Sequence, residues 1–162
     1  MQRITRLFCA LMLIVFGLSA GQATASHDDS YVVTWTAANK VASPFDAPPP
    51  AFSDVTLRHI VRVSAGGSRL RVWLTNEFGN APLLIGAASV AVRNADYSVN
   101  AASLRQLSFG NATSIVIPAG ARVLSDSVNL GVHAFTDLAI SMYVPAGGAV
   151  STSPVSYHVR AL

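Results

Sequence analysis

The sequence predicts an all-β protein, an antiparallel β-sandwich of jelly-roll type. Three observations carry that reading. Short runs rich in Val, Ile, Thr and aromatic residues recur along the chain. Gly, Pro, Asn and Asp separate them every few positions. No segment keeps a helical period of apolar residues for ten positions.

In chain order, YVVTWTA (31–37) reads as a first strand, and SPFDAPPPAF (43–52) as a proline-rich connection that cannot enter a central strand. VTLRHIVRVS and SRLRVWLTN follow as two strands. LLIGAASVAV (83–92) is a strand with a bend expected at Gly86, followed by a polar stretch, 93–103. LRQLSFG, SIVIPAG, RVLSDSVNL and DLAISMYVP are further short strands, and VSYHVRAL is a last one. There is no internal repeat.

The first 25 residues have the pattern of a secretory signal peptide. Arg3 and Arg6 precede an apolar run of a dozen residues from Leu7 to Leu18, and Ala23-Thr24-Ala25 has the small-x-small form of a cleavage site. The run is shorter than the roughly 20 residues needed to span a bilayer. The expected mature chain is therefore 26–162, a single domain that is secreted or periplasmic, with no membrane association after cleavage. Cys9 is the only cysteine and lies in the signal, so stability must come from the core rather than from a disulfide. Eleven Lys and Arg less Arg3 and Arg6 leaves nine, against eight acidic residues, a net charge of +1. Nucleic-acid binding has no support in that balance.

Gly66-Gly67 predicts a two-residue hairpin loop between the second and third strands. Its register sets Arg62 across from Arg71, a like-charge pair that costs stability. Alternation puts Leu57, His59, Val61, Val63, Leu70, Val72 and Leu74 on a core face, with His59 a satisfied buried histidine. Arg58, Ile60, Arg62, Arg69, Arg71, Trp73 and Thr75 share the other face. Arg and Trp together suit a binding surface, and a solvated sheet face explains the same pattern. The candidate binding residues are Arg58, Arg62, Arg69, Arg71 and Trp73, with Asn76 and Glu77 in the turn that follows. Glu77 is the only glutamate; a surface ion pair with a neighbouring arginine accounts for it better than general-acid work does.

Those residues also carry a resemblance. TLRHIVRVSAGGSRLRVWLTNEFGNAPLLIGAASVAV, then LSFGNATSIVIPAGARVLSDSVNL and DLAISMYVP, resemble the N-terminal β-rich region of secreted GDSL-type (SGNH) hydrolases. GGSRLRVWLTNEFG and IPAGARVLSD are its most specific parts, and Trp35 fits the same opening. The resemblance spans 31–159 and implies an accessory domain that packs against a catalytic domain or guides an ester substrate to it. The family's catalytic blocks are a Gly-Asp-Ser nucleophile and a late Asp-x-x-His; neither occurs in these 162 residues. The Gly-Asn pair in FGNAT lies among strands, without a nucleophile upstream. No catalytic residue is carried over, and the chain's last strand suggests a protein that continues.

The other candidates are weaker. His27, Asp28, Asp29 and Ser30 hold the letters of a triad but have no scaffold around them. His133 and His158 have no partners at metal-ligand spacing, so neither a metal nor a cofactor is expected. The alternative to the accessory domain is a free-standing carbohydrate- or ligand-binding module using Trp73, Tyr97 or Tyr143 as stacking surfaces.

Overall fold

A computed structural model describes residues 31–38, 53–146 and, as backbone alone, 157–161. The segment expected to be a signal peptide, the His27 to Ser30 string and the proline-rich connection expected at 43–52 lie outside the described residues. The strands are β1 (Val32–Trp35), β2 (Val55–Arg62), β3 (Gly67–Thr75), β4 (Leu83–Ile85), β5 (Ala87–Val92), β6 (Arg105–Gln106), β7 (Ile115–Ile117), β8 (Arg122–Leu124), β9 (Val128–Val132), β10 (Asp137–Val144) and β11 (Tyr157–Ala161). Among the described residues one 3₁₀ turn, Ala101–Ser103, interrupts them. All pairings among the described residues are antiparallel, and the protein is all-β as the sequence predicts.

The larger sheet runs β1-β11-β3, with β8 and β9 in succession along the far edge of β3. The smaller runs β2-β10-β5-β6, and β4 pairs with β7 in a separate ribbon. Leu70, Val72 and Leu74 of β3 meet Val61 of β2, Val90 of β5 and Leu138, Ile140 and Met142 of β10 in one buried cluster between the sheets. Each such side chain removed from water contributes on the order of 1.5–3 kcal/mol.

The hairpin expected about Gly66-Gly67 does not form. β2 pairs with β10 and β3 with β11, so the chain crosses from one sheet to the other at 63–66. Arg62 lies opposite Asp137, not Arg71, and the like-charge cost disappears. Backbone groups in such a crossing have no ladder partners and need others. Val63 N donates to Thr136 O, Ser64 N to Thr34 O, and Ala65 N to the Thr34 hydroxyl. Gly66 is needed for close approach rather than for a turn. A Cβ there would stand 2.7 Å from Val132 O and 3.0 Å from Ala134 N.

The expected bend at Gly86 is a second crossing, from the β4–β7 ribbon into the smaller sheet. RVLSDSVNL, expected as one strand, divides into β8 and β9. Between them the ladder continues through a side chain, as Val72 N donates to Ser125 Oγ while Ser125 N donates to Val72 O.

Candidate functional site

Because β2 and β3 belong to different sheets, the single arginine-tryptophan face expected from the sequence becomes two faces on opposite sides of the sandwich. The alternation holds: Val61, Val63, Leu70, Val72 and Leu74 are buried. His59 is the exception, exposed on β2, an edge strand of its sheet. The burial that His59 does have lowers its pKa and favours the neutral ring.

On the larger sheet, Arg69 lies opposite Asn129, and Trp73 opposite Leu124. Arg71 donates from Nε to Ser125 O, and its guanidinium lies 5.7 Å from the centre of the Tyr31 ring. The Arg122 guanidinium lies 4.9 Å from the Trp73 ring centre, a cation–π contact.

Asn76 is not a surface residue. It is 3% exposed, and its amide nitrogen lies 2.8 Å from Ala81 O, 3.0 Å from Ile117 O and 3.2 Å from Pro118 O. Its backbone N donates to Ala121 O, and its carbonyl accepts from Gly79 N and Gly120 N. The turn after β3 is thereby bonded to the turn between β7 and β8. Glu77 is exposed beside it, with its backbone N donating to Thr75 Oγ1. The Gly-Asn pair of FGNAT is also architectural. Gly110 and Asn111 both have positive φ, as in a type I′ turn. Their N–H groups and the Ser108 hydroxyl donate to the Asp126 carboxylate, with Asn111 the largest contributor to its lowered pKa.

The smaller sheet presents the more open chemistry. Register sets its outward side chains in rows: Thr56–Tyr143–Ala87, Arg58–Ser141–Ser89–Gln106, Ile60–Ala139–Ala91, and Arg62–Asp137. Arg58 Nε donates to Ser141 Oγ, and Nη1 to the carbonyl of Tyr97, whose loop returns against this face. At one end Asp137 joins Arg62 and Arg93, and the Arg62 hydrogen bond is the main cause of its lowered pKa. At the other, Tyr143 donates to Asp54 Oδ1, and that bond raises the phenol's pKa.

Two depressions share Thr56 on this face. One, of about 170 Å³, is floored by Ala87, Ser89 and Ser141 and walled by Gln106 and Tyr143. The other, of about 610 Å³, lies along Arg58, His59, Ile60 and Tyr97. Thr56, Ser89, Gln106 and Ser141 were not among the sequence candidates. Ser89 and Ser141 carry a signal, a small polar residue between buried apolar neighbours in AASVAV and DLAISMYV, whereas Thr56 and Gln106 lie on the edge strands β2 and β6 and carry none.

Among the described residues, no group of three or more His, Cys, Asp or Glu side chains could hold a metal ion. The class of protein defined here is an antiparallel β-sandwich with an open, polar outer face. No protein-family model matches the chain, and no curated protein matches it.

Proposed function

We propose that the chain is the non-catalytic accessory domain of a secreted GDSL-type ester hydrolase, working beside a catalytic domain encoded outside this sequence. The observation that supports the reading is the junction at Asn76. The two most specific stretches of the resemblance, GGSRLRVWLTNEFG and IPAGARVLSD, are about 40 positions apart in the chain. They are bonded to each other through Asn76, Ile117, Pro118, Gly120 and Ala121. The resemblance therefore describes one continuous piece of structure rather than scattered β-sequence.

The outer face of β3 is the surface we assign to the catalytic partner. Trp73 and Arg122 pack together there, and Trp and Arg are enriched at the energetic centres of interfaces. Sequencing the locus downstream tests the proposal. A Gly-Asp-Ser block and an Asp-x-x-His are expected in the same frame or in the adjoining gene. Unrelated sequence in both places would replace this reading with a free-standing module.

A further inference from the structure

We infer that the outer face of the smaller sheet is a binding site for a neutral carbohydrate chain, seated across the row Arg58–Ser141–Ser89–Gln106. The inference stands apart from the esterase reading, because a free-standing module would use the same face.

Hydrogen-bonding capacity is the first support. Among the described residues, the side chains of Thr56, Ser89 and Gln106 make no hydrogen bond, and Ser141 accepts one, from Arg58. Three hydroxyls and an amide thus offer donors and acceptors at one depression, the pairing that sugar hydroxyls require. The Tyr143 ring forms a wall of the same depression, giving an apolar surface beside the polar floor. Its place there depends on Gly86, where a Cβ would stand 2.9 Å from Tyr143 Cδ1.

Charge decides the kind of sugar. The face and its rim hold Arg58, Arg62 and Arg93 against Asp54, Asp96 and Asp137, three of each sign. The two ion pairs at Asp137 and the Asp54–Tyr143 bond hold Arg62, Arg93, Asp137 and Asp54 at the ends of the face, whereas Arg58, bonded to Ser141 Oγ and Tyr97 O, stands within the row itself. A balanced face provides no net field to draw a polyanion, and the Arg58 guanidinium, its Nε and Nη1 engaged by Ser141 and Tyr97 O, serves an uncharged polyol as a further hydrogen-bond donor. The smaller depression is below the range of a drug-sized site, about 300–1,000 Å³, and suits one sugar ring. The larger one shares Thr56 with it and is lined by Arg58, Ile60 and Tyr97, which is 78% exposed. Two neighbouring depressions suit a chain of more than one ring better than a single small ligand.

Affinity electrophoresis of the purified protein tests this, in gels containing hydroxyethylcellulose, xylan, galactomannan or starch, with polygalacturonate as the charged comparison. At least one neutral polysaccharide is expected to retard the protein, equally at low and high salt. Calorimetry with that polysaccharide should then show Kd raised about tenfold in Thr56→Ala/Gln106→Ala, where two hydrogen bonds are lost. Both positions are exposed, so the fold should survive, as circular dichroism would verify. Ser89→Trp, which fills the depression, should abolish binding. No retardation in any neutral gel would overturn the inference. So would preference for polygalacturonate, or unchanged affinity in folded Thr56→Ala/Gln106→Ala.

Discussion

Asp137 accepts two hydrogen bonds from Arg62, Nε at 2.7 Å and Nη2 at 3.2 Å, and one from Arg93 at 3.2 Å. The carboxylate joins β2 to the strand beside it and neutralises part of the charge of two guanidiniums. Asp137→Asn removes that compensation and leaves Arg62 and Arg93 near one another. The thermal midpoint should fall modestly, since Arg62 is two-thirds exposed. Thermal melts at low and high salt check this, with the difference between variant and parent shrinking as salt screens the pairs.

Acid should act through the same group and two others. Asp96, Asp126 and Asp137 all have folded pKa values below the ordinary carboxylate value, from Ser98, Asn111 and Arg62 hydrogen bonds respectively. A lowered folded pKa gives stability that is present above about pH 4 and lost as pH falls through the folded values. His59, also lowered, adds a smaller loss in the same direction below about pH 6.5. Urea midpoints measured from pH 8 down to pH 2 should therefore decline in two stages, the steeper one acidic. In His59→Gln the first stage should vanish.

The crossing at Gly66 supplies a sharper structural test. Gly66→Ala forces a Cβ against the backbone at Val132 and Ala134, which cannot yield as a flexible side chain would. Overpacking of this kind costs about 1–3 kcal/mol. Gly131→Ala is the matched comparison, because nothing lies within 4 Å of its Cβ position. Denaturant melts should separate the two variants clearly.

Asn76→Ala should be among the costliest polar substitutions. It leaves the carbonyls of Ala81 and Ile117 without the amide that they share, while Pro118 O keeps its bond from Ala121 N. Buried groups left unsatisfied cost about 1–3 kcal/mol each at most sites. A loss of that size in the unfolding free energy is expected, with the glutamate beside it, as Glu77→Gln, changing little.

These contrasts show what the sequence could and could not display. Alternation along β3 was legible because a two-residue period follows from strand geometry alone. Leu70, Val72 and Leu74 are buried as that period requires. The partner of β2 was not legible. Parity says which side chains share a face, but not which strand lies alongside, and Gly66-Gly67 satisfies a tight turn and a close crossing equally well. His59 has inward parity and is exposed on the edge strand β2, although Val61, two positions on with the same parity, is buried. The row Arg58–Ser141–Ser89–Gln106 was hidden for a related reason. Its members come from four strands, and only the register assembles them.

The central functional claim is that this chain recognises and does not itself hydrolyse. Turnover of p-nitrophenyl acetate by the purified chain measures that directly. The account predicts a rate equal to buffer alone. Turnover above buffer that a serine-reactive phosphonate abolishes would contradict it.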